Sequence, residues 1–330
     1  MKLPITIALM FLFSGPAFSK DLSQQTVNSQ IAAVQKAIKE KGAKWVAGET
    51  SLSKLPIDQK RRRVGIGFQM LNVPPLKLSK TRVSVPASID WRAKGAVSNV
   101  ADQGQCGSCW AFALTAALES YVMRAPGVTK NVDLSEQVMV SCSGIGSCDG
   151  GTLDGDFIRN VGIPPEKFYP YSAQNGACED VKEGWQTASF KINTWGSVPK
   201  SLNAIKEALV QYGPLPTALW VYEDLMHYKS GVYSYTTGKK LGGHAILLVG
   251  YDDAEKCFIL KNSWGEDWGE KGFFKVAYSE LNTVVTMGLM TIAYTSDPSQ
   301  NTFPSGQLKL PEVDTYGIAE QSPILTGMRL

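Results

Sequence analysis

The chain has 330 residues, of which 44% are hydrophobic and 19% charged, and its formal net charge is +3. This composition is that of one large globular domain or two small ones, and it excludes collagen, coiled coil and disorder throughout. The net charge is too small to indicate a nucleic-acid partner, and no apolar run is long enough for a membrane span in the mature protein.

The first 19 residues have the layout of a secretory signal peptide. Lys2 supplies the positive start, Leu3 to Phe13 form a short apolar stretch, and residues 17–19 form a small-x-small cleavage site. We therefore exclude residues 1–19 from the fold. Export implies a secreted or periplasmic, oxidising compartment, in which disulfides can form.

Residues 20–85, here called the leader, form a basic segment. They carry 13 Lys and Arg against 4 Asp and Glu, whereas residues 86–330 carry 19 basic and 26 acidic residues. This imbalance predicts attraction between the two parts, although chance and solvated surface charge explain it equally well. Apolar residues at helical spacing predict an amphipathic helix over 24–41. We expect the rest to be a loosely packed arm, with residues 60–63 as a solvated basic face.

From about Ser84 the sequence predicts helices first and strands second. Helices are expected over 109–124, with Ser108 as a candidate N-cap, and over 201–212. Strands are expected at 245–251, 257–261, 272–277 and 289–294. This order predicts an α+β arrangement with two lobes. The tail over 296–330 is rich in Pro, Gly, Ser and Thr, and we expect an extended appendage.

The six cysteines have different sequence contexts. Cys109 begins a predicted helix, and the partial positive charge of a helix N-terminus stabilises a thiolate and lowers the thiol pKa. Cys257 lies in an apolar strand, where a reduced thiol packs well. The four cysteines that remain for two bridges are Cys106, Cys142, Cys148 and Cys178.

Several sequence motifs follow one another along the chain in the order found in a known protein family. Residues 103–110 (QGQCGSCW) contain the C-G-[SA]-C-[WY] signature, and His244 and Asn262 follow Cys109 by 135 and 153 residues. The flanking motifs are DWR at 90–92, LSEQ at 134–137, CDGG at 148–151 and NSWG at 262–265. On these motifs, residues 84–295 resemble a papain-family, cathepsin-like cysteine peptidase.

The resemblance implies a papain-like fold. Its N-terminal lobe is mainly helical, its C-terminal lobe is an antiparallel β-barrel-like unit, and the active-site cleft lies between them. The implied organisation is a signal peptide over 1–19, an inhibitory propeptide over 20–85, a catalytic domain over 86–295 and a C-terminal extension over 296–330.

Peptide hydrolysis explains the residue types of the site. Cys109 would attack the carbonyl as a thiolate and form a thioester acyl-enzyme, and His244, as imidazolium, would protonate the leaving amine. Asn262 would orient the imidazole, and Trp264 would shield that hydrogen bond from water. Gln103 and the Cys109 backbone N–H would stabilise the oxyanion. His227, the second of two histidines, is expected on the surface.

The resemblance also implies binding residues and disulfides. The backbone rim for an extended substrate would be Gly107, Gly150 and Gly151, and the main specificity pocket would include Thr152, Leu153 and Ala218. Trp264 would also contact the substrate. The implied disulfides are Cys106–Cys148 and Cys142–Cys178, which leaves Cys257 free. Gly243 stands where many family members have Asp, and we do not expect this to abolish activity.

The leader resembles a short cathepsin B-type propeptide, on the segments at 45–48 and 64–67. Such leaders run backwards through the cleft and block it. The chain lacks the paired histidines of the cathepsin B carboxydipeptidase loop, which favours an endopeptidase. The expected partners are polypeptide substrates, the chain's own propeptide and cystatin-like inhibitors. We expect a monomer with no cofactor. We also expect no metal site, because the sequence has no second C-x-x-C and no HExxH.

Two other functions compete with this interpretation. A thiol–disulfide oxidoreductase would explain the C-x-x-C at Cys106 and Cys109, but it would not explain His244 or Asn262. A non-catalytic papain-like binding module would usually have lost the Cys, His or Gln of the site, and all of these are present.

Overall fold

The computed structural model describes residues 21–67, 73, 76, 84–128 and 131–296. The expected signal peptide lies outside the described residues, as does the expected appendage from residue 297 onward.

Helices and strands follow the chain in this order. The described part of the leader contains α1 (Gln24–Lys41), β1 (Lys44–Ala47) and α2 (Ile57–Arg61). The helices of the body, residues 86–295, are α3 (Cys109–Met123), α4 (Glu136–Cys142), α5 (Asp156–Asn160) and α6 (Leu202–Tyr212). Its strands are β2 (Ser88–Asp90), β3 (Gly146–Ser147), β4 (Gly150–Gly151), β5 (Trp195–Ser197), β6 (Leu215–Tyr222), β7 (Tyr228–Tyr233), β8 (Lys240–Asp252), β9 (Cys257–Lys261), β10 (Phe273–Ala277) and β11 (Ile292–Tyr294). Short 3-10 helices lie at Glu166–Phe168, Cys178–Asp180, Glu223–His227 and Tyr278–Asn282.

Three predicted helices are confirmed, with small differences at their ends. Helix α1 has the predicted bounds, because the Ser23 hydroxyl caps its start and Gly42 ends it in the left-handed region at φ 62°. Helix α6 starts after Ser201, whose hydroxyl accepts the Ala204 N–H. Helix α3 ends one residue early, at Met123.

Ser108 does not cap α3 through its side chain. Its hydroxyl lies 2.6 Å from the Tyr171 hydroxyl instead, and it makes no capping hydrogen bond to the helix. The expected cap is therefore wrong, because a tertiary partner competes successfully for the Ser108 hydroxyl.

The main sheet has the strand order β1–β7–β10–β9–β8–β2, with β6 also paired to β8. Neighbouring strands are antiparallel except for β10 and β7. The predicted strand 257–261 is confirmed as β9, and 245–251 lies within the longer β8. The strand expected at 272–277 starts at Phe273, and the one expected at 289–294 shortens to Ile292–Tyr294.

Strand β8 joins two apolar cores. Ile246 and Leu248 belong to the core that contains α6, whereas Ala245, Leu247 and Val249 belong to the core around α3. Successive side chains of a strand point to opposite faces, so a strand buried on both faces is apolar without alternation. The architecture is the expected α+β fold with two lobes.

The leader is packed against the body and is not a loose arm. Its Trp45 is 4% exposed and belongs to the apolar core that contains α6. The ring centroid of Trp45 lies 5.2 Å from that of Tyr233, and the indole N–H donates to the Ser234 carbonyl at 3.0 Å. Strand β1 also pairs with β7 and forms one edge of the main sheet. The expected loose packing is therefore wrong.

The expectation of a solvated basic face at residues 60–63 is wrong for two of its members. Lys60 and Arg63 are buried, whereas Arg61 and Arg62 are exposed. The Lys60 ammonium donates to the Ser53 carbonyl at 3.2 Å.

The expectation that His227 lies on the surface is also wrong. It is 3% exposed, and its Nδ1 lies 2.9 Å from the Ser53 hydroxyl of the leader. The backbone N–H of Gly48 donates to the His227 carbonyl at 2.9 Å. The leader therefore buries this histidine.

The structure contains the disulfides Cys106–Cys148 and Cys142–Cys178. Cys109 and Cys257 are free and buried, so the prediction that Cys257 stays reduced in an apolar strand is confirmed. No helix among the described ranges is both long and apolar enough to cross a membrane.

Candidate active site

Helix α3 places Cys109 at the interface of the two lobes. Cys109 is the first residue of α3, and every residue of the helix up to Val122 is buried. The helix is mostly apolar around its circumference, which suits its packing against both α4 and β8. The Ala245 N–H, in the buried part of β8, donates to the Cys109 Sγ at 3.4 Å.

His244 is held on its far side by Asn262. The imidazole Nε2 lies 2.7 Å from the Asn262 Oδ1, which also accepts the Ser263 N–H at 2.8 Å. With Nε2 as the donor, Nδ1 is the ring nitrogen free to exchange a proton, and no described group hydrogen-bonds to it. The Trp264 ring stacks on the imidazole with a centroid separation of 4.6 Å. Strand β8 supplies the histidine, and the segment after β9 supplies both partners.

Gln103 is fully buried beside this group. Its amide nitrogen donates to the Cys106 carbonyl at 2.8 Å, and its amide oxygen accepts the Ser263 hydroxyl at 2.7 Å. A primary amide has two N–H donors, so one bond to Cys106 leaves a second N–H for an oxyanion. Sequence reasoning missed Ser263 as the residue that orients Gln103, although it lies inside the NSWG motif.

The three predicted rim glycines come together beside Cys109. The Gly107 N–H donates to the Cys148 carbonyl at 2.7 Å, next to the Cys106–Cys148 disulfide. Gly150 and Gly151 form strand β4. A Cβ on Gly151 would press into the Trp110 indole ring, so the close packing at this position requires glycine.

Two of the predicted pocket residues are part of the core around α3. Leu153 and Ala218 are fully buried, and the Ala218 N–H donates to the Leu289 carbonyl at 2.8 Å. Thr152 lies at the edge of the cleft with Gly150 and Gly151. No group of three or more His, Cys, Asp or Glu in the described ranges could hold a metal ion.

Comparisons with known proteins identify the family of this site. Residues 85–293 match the papain family of cysteine proteases. The chain belongs to the papain family. Pro-cathepsin H of Medicago truncatula is 41% identical over an alignment of 210 residues, which covers 59% of this chain and 58% of that protein. Procathepsin L of Mus musculus is 37% identical over an alignment of 217 residues, which covers 61% of this chain and 63% of that protein. The matched part thus spans less than two thirds of the length of these relatives.

Solved structures of precursors share the fold. Procathepsin L 3 from the larval midgut of Tenebrio molitor matches with a TM-score of 0.69 and 27% identity, over 82% of this chain and 88% of that chain. ProCathepsin B S9 from Trypanosoma congolense matches with a TM-score of 0.72 over 83% and 98%, but its 22% identity supports the fold alone.

In this papain-family protein the leader occupies the cleft. The Gly151 N–H donates to the Gly65 carbonyl at 2.8 Å, and the Gly67 N–H donates to the Gly151 carbonyl at 2.7 Å. The Ile66 N–H donates to the Gly243 carbonyl at 3.1 Å, and Ile66 pairs in parallel with Gly151. The leader backbone therefore uses the rim that the sequence assigned to substrate.

Gly65 lies directly against the Cys109 thiol. A Cβ at this position would clash with the Gly107 backbone, so glycine permits the close approach. The next side chain, Ile66, belongs to the apolar core that contains Leu153 and Ala218. The leader thus places an aliphatic side chain beside the predicted specificity pocket.

Burial shifts the pKa values of Cys109 and His244. Burial raises the pKa of the Cys109 thiol to about 11, although the backbone N–H groups of Ala245 and Gly65 lower it in part. Burial lowers the pKa of His244 to about 4, against the opposing effect of the Asn262 hydrogen bond. Both shifts favour a neutral thiol and a neutral imidazole in the covered site, because burial removes the water that stabilises charge.

A buried charged cluster that sequence reasoning also missed lies behind the site. Lys261, next to Asn262, donates to the Ser98 hydroxyl at 2.8 Å, and that hydroxyl hydrogen-bonds to the Glu119 carboxylate. Burial raises the pKa of Glu119 to about 7, and Lys261 opposes this shift. The cluster ties α3 of one lobe to β9 of the other.

Proposed function

We propose that this chain is the precursor of an exported cysteine endopeptidase that hydrolyses peptide bonds through Cys109 and His244. One observation carries the proposal: the free Cys109 thiol at the start of α3 accepts the N–H of Ala245, and the residue before Ala245 is His244, whose imidazole Nε2 is bound to Asn262. The backbone of an extended segment already lies across this group. The relatives named as procathepsins support a precursor.

Acylation follows from this arrangement once the leader leaves. Without the leader, water and the N-terminal dipole of α3 favour the thiolate, and His244 takes the proton. The Cys109 Sγ attacks the carbonyl carbon, and the oxygen becomes an oxyanion that Gln103 and the Cys109 N–H stabilise. The C–N bond then breaks, and His244 protonates the leaving amine. The product of this half-reaction is a thioester.

Deacylation returns the starting state. A water molecule gives its proton to His244 and attacks the thioester carbonyl. The second tetrahedral intermediate expels the Cys109 thiolate, and the acid product leaves. Asn262 holds the imidazole in one orientation through both steps, and stacking with Trp264 keeps water away from that hydrogen bond.

The proposed division of the chain has four parts. Residues 1–19 direct export, residues 20–85 inhibit, residues 86–295 catalyse and residues 296–330 extend the C-terminus. Two disulfides support an oxidising compartment, either secreted or periplasmic. The cathepsin B-type classification of the leader, the binding of cystatin-like inhibitors, the monomeric state and the absence of a cofactor stay predictions.

Active-site labelling tests this function. The full chain is activated at acid pH, treated with an epoxysuccinyl cysteine-peptidase inhibitor and analysed by intact mass. We expect one adduct on the wild type, one on Cys257→Ala and none on Cys109→Ala. The Cys257→Ala variant is a matched control, because Cys257 is the other free, buried thiol. No adduct after verified loss of the leader would instead favour a non-catalytic binding protein.

A further inference from the structure

We propose that Asp102 is a specificity-determining residue that selects an Arg or Lys side chain on the leaving-group side of the scissile bond. This inference rests on the proposed peptidase function. It goes further, because it names a substrate feature that the catalytic group itself does not require.

The path of the leader shows which segment of a bound peptide reaches Asp102. Gly65 lies at the Cys109 thiol, and Ile66 and Gly67 continue along the Gly151 rim. On the other side of Gly65, the Arg63 carbonyl accepts the Trp264 indole N–H at 3.1 Å. An extended chain through the cleft therefore passes Trp264 on the side opposite to the glycine rim.

That side belongs to the leaving group of a substrate. The leaving amine must lie next to the imidazole that protonates it, and the Trp264 ring stacks on the His244 imidazole. Residues of the leaving segment therefore pass the position that Arg63 occupies in the precursor. The reversed direction of the leader does not change which wall of the cleft this position faces.

Asp102 is positioned there to accept a cation. It precedes Gln103, and its Oδ1 accepts the Gly104 N–H at 2.9 Å, which orients the carboxylate. The Arg63 guanidinium forms an ion pair with this oxygen. The Arg63 side chain is 10% exposed and that of Asp102 is 50% exposed, so the carboxylate lies at the open edge of the cleft. When the leader leaves, Asp102 loses this cation but keeps its backbone anchor.

The charged residues that surround Asp102 are also acidic. A Cβ on Gly265 would lie 3.4 Å from the Asp102 Oδ2, and the exposed residues Glu266 and Asp267 follow Gly265 directly. A basic side chain of a substrate would therefore meet an oriented carboxylate within an acidic region. A half-exposed ion pair contributes modestly, so we expect a preference of about fivefold in kcat/KM over a neutral side chain.

The preference of the activated enzyme for residues after the scissile bond tests this role. Internally quenched peptides share one acyl side and carry Arg, Gln or Glu at the first, second or third position after the scissile bond. Rates are normalised by titration with an epoxysuccinyl inhibitor, and the readout is the Arg/Gln ratio of kcat/KM within each enzyme. We expect a ratio of about five at one position in the wild type, which falls as the ionic strength rises.

Variants assign the preference to one carboxylate. Asp102→Asn should reduce the Arg/Gln ratio to about one, and Asp102→Lys should shift the preference to Glu. Asp267→Asn is the matched control, since it removes an equal charge nearby, and it should keep the ratio. An equal ratio in the wild type and in Asp102→Asn, or no Arg preference in the wild type at any position, would overturn the inference. A chain with no titratable thiol would overturn the proposed peptidase function instead, so the two failures are distinguishable.

Discussion

Replacing Trp45 by Ala should open the precursor without altering the mature enzyme. Trp45 is 4% exposed, lies 5.2 Å from Tyr233 between ring centroids, and donates to the Ser234 carbonyl. Removal of a buried Trp side chain costs about 3–5 kcal/mol. Because these contacts join the leader to the body, their loss makes the free energy of leader docking less favourable by this amount. The fraction of open precursor should rise by about two to four orders of magnitude.

Alkylation of Cys109 in the intact precursor measures the open fraction. The thiol is buried while the leader is docked, so an alkylating reagent reacts only after the leader opens. The measurement is made at neutral pH on a Cys257→Ala background, which leaves Cys109 as the single free thiol. Intact mass follows the adduct with time, and Trp45→Ala should label at least a hundredfold faster than its parent.

Val46→Ala is the control in the same strand. Val46 is 56% exposed and adjacent to Trp45 in β1, so its truncation should change the labelling rate by less than threefold. The mature enzymes from both variants are identical if the leader is removed in full, so a difference in labelling originates in the leader. A labelling rate for Trp45→Ala within threefold of its parent would refute the claim that this contact holds the leader.

Three further outcomes are expected. Burial and the charge of the leader residue Lys60 lower the pKa of His227 from 6.5 to about 4 in the docked precursor, so this state binds fewer protons. The contribution of His227 to leader docking is therefore fully present above pH 6.5 and is lost as the pH falls through 6.5 to 4, by at most about 3 kcal/mol. We expect His227→Gln to flatten this part of the pH profile of labelling. Removal of the leader should lower the Cys109 pKa from about 11 to below the ordinary value of 9.0, and the pH dependence of thiolate absorbance would measure it. Asn262→Ala should reduce kcat/KM about 10- to 100-fold through loss of a charge-assisted hydrogen bond, whereas a change within twofold would exclude the positioning role.

The sequence predicts the parts of the structure whose signals are local. Helix α1 is defined by its own periodicity, by Ser23 before it and by Gly42 after it. Strand β9 is a short apolar run between turns, and it was predicted with its correct bounds. The residues that gather around Cys109 were predicted from motifs and their spacing, which can also be read directly from the sequence.

Long-range contacts explain what the sequence could not predict. Trp45 donates to Ser234, which is 189 residues away, and His227 contacts Ser53, which is 174 residues away. Neither partner can be identified from periodicity, so Trp45 suggested a loose arm and His227 a surface position. The pKa of Cys109 likewise depends on a residue that is distant in the sequence, because the backbone N–H of Gly65 hydrogen-bonds to the thiol.

The pairing of β1 with β7 has a consequence for how inhibition ends. Hydrogen bonds of a sheet hold the leader to the body, and they do not require a continuous chain between them. A cut near Ser84, where the mature chain is expected to begin, would turn the leader from a covalent segment into a bound ligand. After the cut, the fraction of enzyme with a bound leader depends on the protein concentration. Dilution would therefore release the leader and activate the enzyme, whereas a concentrated solution of cut precursor would stay inhibited.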